Sequence, residues 1–144
     1  MTLIEHRYPT LGPLLRLWRS HCRGDAPPCA SALATETLAG LAASTVLLAR
    51  SDNGAEQLTI AASGAEVDAL YGESLTGSAA GRLAPARGDA EQEALSAIET
   101  ARPVVIEDEL RAGGRRRRVA RLYLPLANDD GSANGVLCGV VALS

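Results

Sequence analysis

The sequence predicts an α+β domain, a five-stranded antiparallel sheet with short helices on one face and an N-terminal flanking helix. Three observations carry this expectation. The first 24 residues hold one amphipathic helical pattern, residues 45–61 hold two short apolar runs around an Asn-Gly pair, and the last third alternates through three strand-length runs separated by Gly-rich turns. A chain of 144 residues has room for one such domain and one core. The expected division is residues 1–43 as helix and Pro-containing linker, followed by 44–144 as the domain proper.

The leading helix is read over residues 10–24. Leu11, Leu14, Leu15, Trp18 and Cys22 recur on one side, while Arg16, Arg19, Ser20 and Arg23 lie elsewhere. Thr10 is placed to cap it and Gly24 to stop it. Pro27 and Pro28 then forbid helix and give a linker into a second short helical stretch at 35–42. Strands at 45–49 and 57–61 flank Asn53-Gly54, a hairpin signal. Helical pieces at 65–71 and 74–83 are separated by Gly72 and broken by Gly77, and a fuller helix at 89–101 has Asp89 at its cap and Pro103 beyond its end.

The final meander comprises strands at 104–110, 116–126 and 136–143, with turns at 112–114 and 128–135. In its long middle strand Ala120, Leu122, Leu124 and Leu126 share one face, and Val119, Arg121 and Tyr123 share the other. The leucine face is expected to meet the core and the second to be only partly covered. The apolar stripe of the leading helix is the ready covering element, or a dimer contact. Leu11, Leu14, Leu15, Trp18 and Tyr123 are accordingly the expected interface, with a homodimer or a signalling protein as partner.

Composition narrows the function. The net charge of −3 excludes a protein that binds nucleic acid through bulk positive charge, so any basic surface is local. No Lys and no Phe occur, and the four aromatic residues are Tyr8, Trp18, Tyr71 and Tyr123, which makes the core aliphatic. No apolar stretch approaches the ~18 residues needed to span a bilayer, and the N-terminus lacks a signal-peptide pattern, so a cytoplasmic protein is expected. Three cysteines at irregular spacing, Cys22, Cys29 and Cys138, read as reduced thiols.

Catalytic chemistry has little support in the residues. His6 and His21 both precede the domain proper, and no nucleophile elbow, phosphate-cradling loop or metal motif occurs. His21, Cys22 and Cys29 lack a fourth ligand at a usual spacing, so neither an enzyme nor a metal site is expected. Arg115, Arg116, Arg117 and Arg118 form the one concentrated charge cluster. They are either solvated and ion-paired with Glu107, Asp108 and Glu109 on the preceding strand, or a patch that docks an anionic partner such as RNA or an acidic protein. Nucleic acid is the less expected of these, because aromatic residues are not interleaved with the arginines.

The element order, together with the run Leu58-Thr-Ile-Ala-Ala-Ser-Gly-Ala-Glu-Val-Asp-Ala-Leu-Tyr-Gly-Glu-Ser-Leu-Thr-Gly77, resembles a PAS domain of a bacterial subfamily of small stand-alone proteins. Gly64, Gly72, Leu75, Thr76 and Gly77 match that pattern, as do Leu17-Trp18 and Ala101-Arg-Pro103; Ser78 stands where the subfamily usually carries Arg. The resemblance covers about residues 10–143. It implies a sensory or regulatory role in signal transduction without catalysis. Haem-binding members use a His on the long helix and blue-light members a Cys in an Asn-Cys-Arg run, and neither stands here, so no cofactor is expected. What the resemblance leaves is an aliphatic ligand cavity lined by Val67, Leu70, Tyr71, Leu75, Leu95, Ile98, Leu122, Leu124 and Cys138, able to take a small apolar ligand or to be packed shut.

Overall fold

A computed structural model describes residues 7–24, 26–33, 38–50, 58–84, 89–112, 114–127 and 133–143. The elements are α1 (Gly12–Ser20), β1 (Thr45–Arg50), β2 (Leu58–Ser63), α2 (Ala65–Tyr71), α3 (Ala90–Thr100), β3 (Val104–Ala112), β4 (Arg115–Ala127) and β5 (Ala133–Ala142). Three 3-10 turns, Ala30–Leu33, Ala39–Ser44 and Ala80–Leu83, complete the described helical structure. The strands form one antiparallel sheet in the order β2-β1-β5-β4-β3, as the α+β reading requires. The expected Asn53-Gly54 turn, most of the 128–135 turn, Gly113 and His6 lie outside the described residues.

Several local expectations are corrected. Helix α1 is shorter than the 10–24 pattern: Leu11, not Thr10, occupies the cap position without a side-chain hydrogen bond, Pro13 lies in the first turn, and the helix ends at Ser20. The 35–42 stretch is a 3-10 turn over Ala39–Ser44 where it is described, and the 74–83 piece is helical only over Ala80–Leu83. Helix α3 follows its signals closely. The Asp89 side chain accepts from the Gln92 N–H at 3.0 Å, and Ala101 closes the helix in the left-handed region two residues before Pro103.

The Leu75-Thr76-Gly77 run acquires a physical reason. Thr76 Oγ1 accepts from the Ser63 N–H, Gly77 N–H donates to Ile60 O at 2.7 Å, and Ile60 N–H donates to Ser78 O at 2.8 Å. The segment therefore runs along the outer side of β2 and satisfies an edge that would otherwise be open. Gly77 makes this possible with a φ of 91°, a conformation that other residues rarely adopt. Asp68, on α2, fixes the same segment by accepting from Ser63 Oγ and from the Leu75 N–H.

Both faces of the sheet are covered, and the two cores are separate. On the inner face Val46, Leu48, Ile60, Val119, Tyr123, Val136 and Cys138 pack with α2, α3 and the Ala80–Leu83 turn. On the outer face Ala120, Leu122, Leu124, Leu126 and Leu137 pack under Tyr8, α1, Leu33 and Leu38. The expected assignment of the faces is thus reversed. The leucines of β4 lie under the N-terminal helix, and Arg121 and Tyr123 point toward α3. Leu11, Leu14, Leu15 and Trp18 are buried in their own chain, and Tyr123 lies on the opposite face, so these five do not form one exposed interface. The burial of α1 also makes residues 7–24 part of the packed domain rather than a separate appendage.

Two glycines permit these approaches. A Cβ on Gly64 would lie 2.3 Å from the carbonyl oxygens of Ala42 and Ala43, which are backbone atoms with little freedom to retreat. A Cβ on Gly139 would meet Leu14 Cδ2 at 2.6 Å, the far end of a flexible side chain. Gly64→Ala is therefore expected to lower the unfolding free energy by about 1–3 kcal/mol, as overpacking does, and Gly139→Ala by less. Urea unfolding of the two variants beside the parent checks the order, and an equal or reversed ranking contradicts the packing described.

Candidate functional site

The site is built on β4. Residues 119–127 are almost entirely apolar and buried on both faces, and within that run stands one charge, Arg121, at 1% exposure. A guanidinium so placed must be paired, since an isolated buried ion costs several kcal/mol. Its partners come from four places in the chain. Arg121 Nε donates to the Tyr123 hydroxyl at 2.9 Å, Nη1 to Leu83 O at 3.2 Å, and Nη2 to Glu93 Oε1 at 3.0 Å and Asp108 Oδ2 at 3.1 Å. The Tyr123 hydroxyl passes the bond on, donating to the same Glu93 oxygen at 2.7 Å, and the Tyr71 hydroxyl donates to Leu83 O at 2.6 Å.

Secondary structure explains the convergence. Strand alternation puts Arg121 and Tyr123 on the same face of β4. In the β3–β4 register Asp108 faces Val119, which makes it the diagonal neighbour of Arg121. Glu93 lies in the first turn of α3, whose capped start brings it over β4. The result ties α3, β3, β4 and the Ala80–Leu83 turn to one cation.

The electrostatics hold the network in one protonation pattern. Burial opposes charge on Arg121, yet the neighbouring Tyr123 and Glu93 outweigh it and keep the guanidinium above its ordinary range. Burial pushes the Tyr71 and Tyr123 hydroxyls well above the usual phenol value, so both remain neutral donors. Cys138, opposite Tyr123 in the β4–β5 register, is likewise pushed up by burial, to about 12, and is a thiol at neutral pH rather than a nucleophilic thiolate. His21, half-buried, has its Nδ1 beside Leu17 O at 3.0 Å and no carboxylate among its described partners.

The residues expected to line an aliphatic cavity separate into two groups. Val67, Tyr71, Leu75, Ile98 and Cys138 are buried in the inner core, with Leu70 and Leu95 packed at its margin. Leu122 and Leu124 belong to the outer core under α1, because they alternate away from Arg121 and Tyr123. The nine therefore do not surround one space, and Arg121, absent from that set, stands between β4 and α3. A lone arginine inside a nine-residue apolar run was the available signal, since such a charge folds only with carboxylates brought to it.

The arginine hairpin divides in the same way. Arg118 Nη2 pairs with Glu107 at 2.6 Å, and Arg116 Nε approaches Glu109 at 3.4 Å, both on the outer face. Arg115 and Arg117 alternate to the inner side, are exposed, and have no carboxylate partner among the described residues. Glu107 also accepts from Arg7 and the Tyr8 hydroxyl, so it links the N-terminal segment to the hairpin. The Tyr8 hydroxyl, with Arg7 and Arg118, holds the Glu107 carboxyl below its ordinary range against the opposing effect of burial.

Among the described residues no group of His, Cys, Asp or Glu is arranged to hold a metal ion, and no helix is long and apolar enough to cross a membrane. The sequence matches no protein-family model and no curated protein. Its fold does match solved structures. A light-oxygen-voltage domain studied with a flavin analogue aligns with 76% of this chain and 83% of its own at 12% identity and a TM-score of 0.60. The light-state LOV domain of the blue-light photoreceptor Aureochrome1 aligns with 78% and 89% at 14% identity, with a TM-score of 0.55. A fungal LOV photoreceptor aligns with 74% and 78% at 22% identity, with a TM-score of 0.53.

Two outcomes follow from the network. Arg121→Met leaves Glu93 and Asp108 without their cation and should cost about 3–5 kcal/mol in denaturant unfolding. Adding Glu93→Gln and Asp108→Asn should return a substantial part of that loss, and a triple variant no more stable than the single one contradicts the ion-pair account. Cys138 should resist a thiol reagent at pH 8 until denaturant is added, with mass mapping identifying the modified residue.

Proposed function

We propose that this chain, which has the PAS fold, is a non-catalytic sensory or regulatory module in signal transduction. Its input is a small ligand or a protein partner received at the inner face between α3 and β4, and its output is the packing of the N-terminal helix on the outer face.

One observation carries the reading: β4 belongs to both cores. Arg121 and Tyr123 join the polar network under α3, while Pro125 O accepts from Trp18 Nε1 at 2.8 Å and Leu122, Leu124 and Leu126 support α1. A ligand that competes for Arg121 or Glu93 changes the seating of α3 on β4, and β4 cannot shift without disturbing the helix bonded to its other side. The Arg121 network adds a polar anchor to the apolar residues Val67, Tyr71, Leu75 and Ile98, so the input site suits a molecule with an apolar body and one hydrogen-bonding or anionic group.

Release of α1 would uncover Leu11, Leu14, Leu15 and Trp18, an apolar stripe able to meet a second copy of the chain or a signalling partner. A coupling of this kind works by shifting a population between docked and undocked helix, and an input moves it only by its differential affinity for the two states. The absence of catalysis in this reading rests on the neutral Cys138 thiol and on the exposed Ser20 Oγ–His21 Nδ1 contact, at 3.1 Å, having no carboxylate among its described partners.

The single tryptophan makes the coupling measurable. Glu93→Gln, which weakens the network from the α3 side, should shift Trp18 emission to longer wavelength and speed amide exchange in α1, with the far-ultraviolet circular dichroism retained. A folded variant with unchanged Trp18 emission and unchanged exchange in α1 would sink the coupling. Native mass spectrometry of freshly purified protein identifies any retained ligand.

A further inference from the structure

We infer that the outer face of the β3–β4 hairpin is a docking site for a phosphorylated serine or threonine side chain of a partner protein, whose phosphoryl group bridges Arg111 and Arg116. These two arginines are direct partners in the β3–β4 register, as are Glu109 and Arg118. Arg118 O accepts from Leu143 N–H on the far side of β4, so Arg118 and Arg116 form non-hydrogen-bonded pairs with their β3 partners. In such pairs the Cα atoms lie about 4.5 Å apart and the side chains approach most closely. Arg111 and Arg116 thus stand as like charges directly opposite each other, an arrangement that lowers stability unless an anion lies between them. The site is on the other face of the sheet from the α3–β4 input and does not depend on it.

The carboxylates of that face supply the anion only in part. Glu107 is already engaged, accepting from Arg7 at 2.8 Å, from the Tyr8 hydroxyl at 2.5 Å and from Arg118 at 2.6 Å. Glu109 Oε1 is buried 3.5 Å from Arg111 Nε and 3.4 Å from Arg116 Nε, and it accepts no hydrogen bond among the described residues. Four guanidinium groups, those of Arg7, Arg111, Arg116 and Arg118, therefore share two carboxylates, and two positive charges remain. The side chains of Arg111 and Arg116 are 59% and 69% exposed, so both forks can be reached by a ligand.

Charge and shape select the occupant. A phosphomonoester carries close to two negative charges at neutral pH and three acceptor oxygens, which suits two opposed guanidinium forks. The adjoining groove, of about 260 Å³ and lined by Glu109, Arg116, Arg117 and Arg118, is shallow. It cannot enclose most of a free small molecule, as ligand pockets do, so the phosphoryl group is one presented on a larger body. RNA fits less well, because each phosphodiester carries a single charge and Tyr8, the aromatic residue of the cluster, is buried and cannot stack a base. An anionic bilayer is opposed by the net charge of −3 on the chain as a whole.

The test is fluorescence anisotropy on the full chain, at low salt, with a labelled peptide carrying one phosphoserine between glycines and with its unphosphorylated form. The phosphopeptide should bind saturably and about tenfold or more tightly than the unphosphorylated one. Arg111→Gln with Arg116→Gln should weaken it by about fivefold or more. Arg111→Lys with Arg116→Lys keeps the charge but removes the planar forks, and should weaken it by about threefold or more. Arg115→Gln with Arg117→Gln removes the same charge from the other face and should change binding by less than about twofold. The inference is overturned by equal loss in the two Gln pairs, by undiminished binding in the Lys pair, or by a phosphopeptide that binds no more tightly than its unphosphorylated form. Tighter binding of an oligouridine overturns it as well, as does cosedimentation with phosphatidic acid vesicles that the phosphopeptide does not compete away.

Discussion

The buried guanidinium of Arg121 constrains everything packed against the inner face. A cation at that depth is tolerable only where hydrogen bonds and opposite charge reach it from several directions, and here they come from β3, β4, α3 and the carbonyl of Leu83. Helix α3 cannot slide along the sheet without withdrawing Glu93, and β3 cannot slip in register without moving Asp108 from the diagonal position. An apolar contact would allow such adjustments at small cost. The ionic one fixes a single arrangement.

The opposite face of β4 is held by different physics. Leu122, Leu124 and Leu126 meet α1 through area and shape, and one directional bond, from Trp18 to Pro125 O, fixes the helix along the strand. Gly139 lets α1 approach to within side-chain contact of β5. A single strand thus carries a charge-selected interface on one side and a packing-selected interface on the other. Two layers that share no side chains are connected through its backbone.

Alternation also sorts the arginine hairpin. Four consecutive like charges read as one basic patch in the sequence, but a strand sends neighbours to opposite faces. Arg116 and Arg118 share a face with Glu107 and Glu109, which also pair with Arg7 and Arg111, whereas Arg115 and Arg117 lie on the other face. The short β2 edge is closed by residues 76–79.

The sequence by itself determined the elements whose signals are local: the capped α3, the Gly72 stop of α2, the meander, the antiparallel pairing of β1 with β2, and the alternating sides of Glu107, Asp108 and Glu109. It could not decide which side of β4 faces which layer. Apolar residues occupy both sides, so periodicity marks two faces to be covered without ranking them. Only the tertiary structure resolved this, because the deciding factor was the pairing of Arg121 with Glu93 and Asp108, residues 28 and 13 positions away in the chain. The burial of Leu11, Leu14, Leu15 and Trp18 was decided in the same way. An amphipathic stripe states that something must cover it, and only the chain's path through space showed that its own sheet does.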